Sequence, residues 1–320
     1  PASLLAVSIA PPPPPSAVEF VQSPVGDEPA ALIGAQLLAD GKLLEVEQAF
    51  SAITPIPVNA ADDVPPINQT GCMLNRESIE PEVCSYGDTR SSTVIALIGD
   101  SHAAMVAPGL STAAAQAGIR LDTYTKGACP IVTVPTEFQG TPYTECNEWV
   151  GNVTERLISE PPAAVITMMS RYRVFADGIT LGFDESRPAL AESLNSSWQR
   201  FQDAGIPVAS VRATPRPDTQ VPDCVASNAE NLSACALPRG DVLWGDSPEM
   251  LAAQANQEVN IIDLTPALCN DTTCPAVIEG ILVYRDDNHL TATYARTLSS
   301  HFTDGLREAF PDLMRDQDAR

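Results

Sequence analysis

Thr93-Val94-Ile95-Ala96-Leu97-Ile98-Gly99-Asp100-Ser101-His102 is the stretch on which the reading of this chain turns. Its first six residues form a continuous apolar run, the pattern of a strand buried on both faces of a parallel sheet. Gly99-Asp100-Ser101 ends the run. Ala103 to Ala117 then reads as a helix, despite Pro108, and Gly118 closes it.

The same alternation continues outward. Ile119 to Thr125 is a second strand candidate, Glu145 to Ile158 a helix, and Ala163 to Met168 a third buried strand. Leu190 to Ala204 is predicted helical, Ile206 to Val211 a strand, Pro248 to Gln257 a helix with Pro in its first turn, and Val259 to Leu264 a strand. Ile281 to Tyr284 is a further apolar run, and Thr291 to Phe310 a single C-terminal helix. Strands alternating with helices predict an α/β fold, a central parallel sheet covered on both faces. Residues 212–247 interrupt the pattern as a long irregular insertion.

Upstream, Pro11 to Pro15 predicts a stiff polyproline II tether. Ala30 to Phe50 reads as a helix weakened by Gly41, and residues 51–70 as Pro-rich loop. The division is therefore residues 1–70 as tether and helical extension, and 71–320 as the main α/β domain. No start Met or basic leader precedes the apolar run Ser3 to Ala10, which is too short to span a bilayer. The targeting element is expected upstream.

Over its 320 residues the chain has 41 acidic and 18 basic side chains, a formal charge of −23. A phosphate-tracking nucleic-acid binder needs the opposite balance, and adhesion to an anionic membrane surface is disfavoured. Such a charge suits a soluble, monomeric domain. Eight Cys fall into the neighbour pairs Cys72/Cys84, Cys129/Cys146, Cys224/Cys235 and Cys269/Cys274, each in a Pro/Gly/Asn-rich stretch. Short-loop disulfides and an oxidising compartment are predicted. No Cys-x-x-Cys occurs and the chain has only three His, so no metal site is expected. Sequons stand at Asn68, Asn152, Asn195, Asn231 and Asn270 and matter only in a glycosylating host. No Gly-rich phosphate loop follows any strand, which excludes dinucleotide and P-loop chemistry.

Ligands of open α/β sheets sit beyond the carboxyl ends of the strands. Ser101 stands there, at a strand-to-helix turn with the helix dipole behind its own N–H. From Gly99-Asp100-Ser101-His102 alone, a nucleophile and a helix-capping Ser fit equally. The second element is Asp286-Asp287-Asn288-His289-Leu290-Thr291, before the last helix. An Asp three residues before a His reaches its Nδ1 and fixes the tautomer, leaving Nε2 to take a proton from a serine. A polar helix-entry turn is the plainer alternative for this element; the two elements together favour catalysis.

Gly99-Asp100-Ser101-His102, Lys126-Gly127-Ala128-Cys129-Pro130, Ser170-Arg171-Tyr172 and Tyr284-Arg285-Asp286-Asp287-Asn288-His289-Leu290-Thr291 resemble the SGNH (GDSL-like) hydrolase superfamily, and within it the extracytoplasmic SGNH domain of acyltransferase-3 membrane O-acetyltransferases. The resemblance covers about residues 70–310. It implies a flavodoxin-like three-layer α/β/α sandwich, the SGNH hydrolase fold. It implies an O-acetyltransferase acting on a cell-envelope glycan or glycolipid, with a fused transmembrane acyltransferase-3 domain as partner. The domain itself then needs no cofactor: the membrane domain delivers the acyl group, ultimately from acetyl-CoA. Ser101 becomes the nucleophile, His289 the general base and acid, and Asp286 its orienter. Oxyanion donors are expected in the N–H groups of Ser101 and Gly127, although a plain turn glycine is as good a reading of Gly127. The superfamily's Gly-x-Asn-Asp block is missing; Ser170 or Arg171 is the expected replacement, with a structural ion pair the equal alternative for Arg171.

His102 points away from the reaction and reads as pocket lining or capping, His301 as surface or packing, and Asp100, Asp287 and Asn288 as turn-makers. Trp149, Trp198 and Trp244 read first as core. Two rival functions share the scaffold: a secreted carbohydrate esterase or lipase using the same triad, and a non-catalytic carbohydrate-binding domain.

Overall fold

The computed structural model describes residues 52–318 and the short strand Glu19–Phe20. The Pro11 to Pro15 run and the expected helix Ala30 to Phe50 lie outside the described residues. The core is a seven-stranded sheet: β1 (Met73–Leu74), β2 (Cys84–Gly87), β3 (Val94–Gly99), β4 (Arg120–Lys126), β5 (Ala164–Met168), β6 (Val208–Val211) and β7 (Asn260–Ile262). The order is β7-β6-β5-β3-β4-β1, parallel throughout, with β2 added antiparallel to β4. The chain runs from β3 outward to β4, then crosses back to β5 on the other side. That reversal opens a crevice between the carboxyl ends of β3 and β5.

Helices α1 (Ser101–Gln116), α2 (Thr144–Ser159), α3 (Phe183–Asp203), α4 (Pro248–Ala255), α5 (Ala292–Thr297), α6 (Ser299–Ala309) and α7 (Pro311–Asp318) cover both faces. The pleat of β3 divides the layers. Ile95 and Leu97 pack with Met105, Leu110, Tyr294, Phe302 and Met314 of α1, α5, α6 and α7. Ala96 and Ile98 pack with Trp149, Leu194, Trp198 and Ala252 of α2, α3 and α4. This is the expected three-layer α/β/α sandwich. Two glycines set close approaches. A Cβ on Gly99 would stand 2.0 Å from Met168 O, and one on Gly109 2.4 Å from Ala295 O. The first brings β5 against the end of β3; the second seats α1 on the backbone of α5.

The structure departs from the sequence reading in five places. Helix α3 begins at Phe183, ahead of Leu190, because Glu185 accepts the Gly182 N–H at 2.9 Å and caps the extra turns despite Pro188. The expected helix Thr291 to Phe310 is two helices, α5 and α6, because Leu298 N–H closes tightly on Ala295 O at 3.2 Å and breaks one from the other; α7 follows from Pro311. Ile281–Leu282 pairs in a hairpin with Val277–Ile278, outside the central sheet. The packed fold also reaches back past residue 71. Ile53 is fully buried, Thr54 exchanges hydrogen bonds with Gly280 and Leu282, and Asp63 O accepts the Ala292 N–H at 2.9 Å.

The fifth departure is the insertion. Residues 212–247 are not wholly irregular: they hold the helix Val221–Ser227, the 3₁₀ turn Leu232–Cys235 and the strand Leu237–Pro238. That strand pairs antiparallel with Thr273–Cys274, Leu237 standing opposite Cys274. This pairing brings Cys235 and Cys274 into one packed region. Both are buried in the same apolar cluster as Val225, Leu268 and Leu282, because the pairing draws the insertion down onto the loop before the hairpin. Their role is in the packing of the insertion.

All four neighbour pairs of Cys are disulfides. Cys72–Cys84 joins β1 to β2, which lie end to end along one edge of β4. Cys129–Cys146 clips the loop after β4 to α2. Cys224–Cys235 ties the helix of the insertion to its 3₁₀ turn. Cys269–Cys274 closes the short loop that ends in the strand Thr273–Cys274. Among the described residues no helix is long and apolar enough to cross a membrane.

Candidate active site

Ser101 is the first residue of α1, directly after β3, so its N–H has no intrahelical acceptor. The turn beneath it is built on Asp100, which is fully buried. Asp100 Oδ1 accepts the His102 N–H at 2.7 Å. Its Oδ2 accepts the Ser170 N–H at 2.8 Å and a short hydrogen bond from the Tyr172 hydroxyl. Burial, then the Asp100 charge, push the Tyr172 hydroxyl well above its ordinary pKa, so it stays a donor. Ser170-Arg171-Tyr172 thus serves the Asp100–Ser101 turn from the end of β5.

The Asp286–His289 turn faces Ser101 from the segment before α5. Arg285 N–H donates to His289 O at 2.9 Å, and Thr291 N–H to Val283 O at 2.9 Å. Thr291 Oγ1 then caps α5 by accepting the Tyr294 N–H. Within the turn, Asp286 Oδ1 accepts the N–H groups of Asn288 (2.7 Å) and His289 (2.6 Å), and Oδ2 lies 2.9 Å from His289 Nδ1. His289 Nε2 lies 2.9 Å from Ser101 Oγ. The carboxylate holds the proton on Nδ1, so Nε2 is the acceptor. Burial alone would raise the Asp286 pKa; the hydrogen bonds and charge of His289 and the two backbone N–H groups outweigh it and hold it at about 2. Ser101, His289 and Asp286 are therefore in one hydrogen-bonded line.

The expected oxyanion residues fare differently. Gly127 N–H donates to Leu74 O at 3.0 Å, so the pairing of β1 takes this donor and it is not offered to an oxyanion. Ser170 is buried beside the crevice with its N–H on Asp100, and its hydroxyl makes no hydrogen bond among the described residues. Arg171 turns toward the 212–247 insertion. It donates to Val242 O at 2.6 Å, lies 3.4 Å from Asp218 and stacks 4.5 Å from the Trp244 ring. Trp149 and Trp198 are fully buried, while Trp244 is half-buried between Arg171 and Arg187. His301 is half-buried on α6.

Two contacts at the site were missed. Asp218, from the insertion, donates its N–H to Asp287 O at 3.0 Å and shares its carboxylate between Arg171 and Arg216. No local signal marks this long-range contact. His102 is buried, with its Nε2 3.0 Å from Asn288 Oδ1 and its ring centroid 5.1 Å from that of His289. Burial is the main cause that lowers its pKa to about 4.

A family model described as "SGNH domain (fused to AT3 domains)" matches residues 71–304. Among solved structures, the chain is similar to the periplasmic domain of a lipopolysaccharide acetyltransferase from Salmonella ser. Paratyphi A. That match has 16% identity and TM-score 0.52, covering 68% of this chain and 85% of the other. It is also similar to a putative acylhydrolase of Bacteroides fragilis, with 11% identity and TM-score 0.38, covering 72% and 90%. A carbohydrate esterase family 2 enzyme with a carbohydrate-binding domain, from Corynascus thermopiles (Myceliophthora fergusii), matches with 14% identity and TM-score 0.40, covering 69% and 67%. No curated protein sequence matches the chain.

Proposed function

Because this chain belongs to the family of SGNH domains fused to AT3 domains, we propose that it moves an acetyl group through Ser101 onto a hydroxyl of an extracytoplasmic cell-envelope glycan or glycolipid. The observation that carries this reading is the line of contacts from Ser101 Oγ to His289 Nε2 at 2.9 Å and from His289 Nδ1 to Asp286 Oδ2 at 2.9 Å. The partner is a membrane AT3 domain that supplies the acyl group. The AT3 fusion of the family and the four disulfides support an extracytoplasmic placement.

The reaction has two halves. In the first, His289 Nε2 takes the Ser101 hydroxyl proton as Oγ attacks the acyl carbonyl. The tetrahedral oxyanion is met by the Ser101 N–H at the head of α1 and by the free Ser170 hydroxyl. Collapse passes the His289 proton to the leaving group and leaves acetyl-Ser101. In the second half, His289 takes the proton of an acceptor hydroxyl, whose oxygen attacks the acetyl-serine. Collapse returns the proton to Ser101 and releases the O-acetylated product. Asp286 stabilises the imidazolium in both halves.

Water competes with the acceptor, so the isolated domain is expected to hydrolyse 4-nitrophenyl acetate slowly. Ser101→Ala should reduce that rate to background, a loss of about 10³-fold or more. An unchanged rate overturns the proposal. If added envelope glycan neither speeds turnover nor becomes acetylated, while hydrolysis still needs Ser101, the enzyme is an esterase.

A further inference from the structure

We propose that His102 is a positioning residue: through its hydrogen bond to Asn288 it holds the Asp286–His289 turn over Ser101 while Ser101 carries the acyl group. The inference rests on the acyl-serine reading above.

The geometry is a second cross-link running beside the first. Ser101 and His102 are consecutive on α1; Asn288 and His289 are consecutive on the turn. Ser101 Oγ meets His289 Nε2 at 2.9 Å, and His102 Nε2 meets Asn288 Oδ1 at 3.0 Å. The amide oxygen accepts, so the His102 proton lies on Nε2. Both ends are fixed. His102 is 1% exposed and its N–H is held by Asp100 at 2.7 Å. Asn288 donates its own N–H to Asp286 Oδ1 at 2.7 Å, inside the triad.

The two links differ in one respect. The Ser101–His289 link is part of the chemistry: once Oγ is acylated it has no proton to give, and the link is lost. The His102–Asn288 link takes no part in bond-making and persists in the acyl-enzyme. A further contact of the turn with α1, Leu290 N–H to Met105 Sδ at 2.9 Å, has only a weak sulfur acceptor. Beside the turn's own hydrogen bonds and the Asp218 N–H on Asp287 O, His102 is therefore the strong polar tie from α1 that keeps His289 over Ser101 for the second half-reaction.

Histidine suits the role. It donates from Nε2 while neutral, because burial holds its pKa at about 4. A cationic donor 5.1 Å from the His289 ring would oppose the imidazolium that catalysis needs. His102 Nδ1 is buried without a partner among the described residues, a cost that an apolar residue of the same size avoids and that the Nε2 donor offsets.

The test separates the half-reactions. Burst kinetics with 4-nitrophenyl acetate and intact-mass spectrometry would follow acylation and deacylation in wild type, His102→Leu, His102→Gln and Asn288→Ala, with melting curves as the folding control. His102→Leu is expected to slow deacylation about 10–100-fold, so that acetyl-enzyme accumulates, with the burst phase changed far less and kcat and KM falling together while kcat/KM is little moved. His102→Gln places an amide donor at similar reach and should recover most of the loss. Asn288→Ala, on a half-buried turn, should mimic His102→Leu, and the double variant should be no worse than either single one. Wild-type deacylation in folded His102→Leu or Asn288→Ala overturns the proposal, as does multiplication of the two single effects. A wild-type protein that never acylates Ser101 sinks the triad reading itself, and this inference with it.

Discussion

Asp286→Asn is the substitution whose outcome the geometry constrains most tightly. The new side chain has the same shape, and its oxygen can keep the N–H bonds of Asn288 and His289, now made at 2.7 and 2.6 Å. Its NH₂ then faces His289 Nδ1 in place of Oδ2. A donor there repels Nδ1–H and selects the other tautomer, with the proton on Nε2. That nitrogen can no longer accept from Ser101 Oγ, although it stays in place. The expected loss is about 10³–10⁴-fold in kcat at neutral pH. The stability cost can be sized too. Asp286 titrates at about 2 against an ordinary value of 3.8, and each unit is about 1.4 kcal/mol. With the side chain 30% exposed, solvent screening trims the sum to about 1–2 kcal/mol. The folded pKa is the lower one, so this stability is fully present above about pH 4. It disappears as pH falls toward 2. Steady-state hydrolysis of 4-nitrophenyl acetate and urea melts between pH 3 and 7 measure both. Activity within tenfold of wild type, with the fold intact, would refute the assignment of Asp286 as orienter.

Other substitutions probe the frame of the site. Gly99→Ala puts a Cβ 2.0 Å from Met168 O and 2.8 Å from Ala103 Cβ, so urea denaturation should show a loss of about 3 kcal/mol or no folded protein. Tyr172→Phe deletes a hydroxyl on the buried Asp100 carboxylate; a loss of about 1–3 kcal/mol is expected, with a fall in kcat as the nucleophile's turn loosens. Replacing Cys72 and Cys84 together by Ala frees β1 from β2 and should cost about 2–4 kcal/mol in thermal or urea melts.

The parts of the fold legible in the sequence were those decided locally. Ile95, Ala96, Leu97 and Ile98 are buried on both faces, so the run that forms β3 has no polar position to obscure it. The Asp286–His289 contact spans one turn and follows from spacing alone. Neighbour pairing of the Cys was legible for the same reason, but the burial of Cys235 and Cys274 was not, since it depends on a strand pairing between the insertion and a later loop. Other elements that depend on distant partners were equally hidden. Strands β1 and β2 are short, and β2 is half-exposed; they exist because β4 offers them an edge and a disulfide joins them. The fate of the Gly127 N–H turned on β1, through Leu74. Pro188 hid the start of α3, whose cap is a side chain that no helix period reveals. The insertion reaches the Asp286–His289 turn through the Asp218 backbone, a contact with no composition signature. His102 was read as pocket lining or capping, and no spacing reveals its partner Asn288, 186 residues away.

The central claim is that Ser101 carries the acyl group. Peptide mapping of the protein quenched during turnover of an acetyl ester tests it most directly. One acetyl group is expected on the peptide containing Ser101, absent from Ser101→Ala and trapped at higher occupancy in His102→Leu. Turnover without any acetyl on Ser101, or with the acetyl group on another residue, would contradict it.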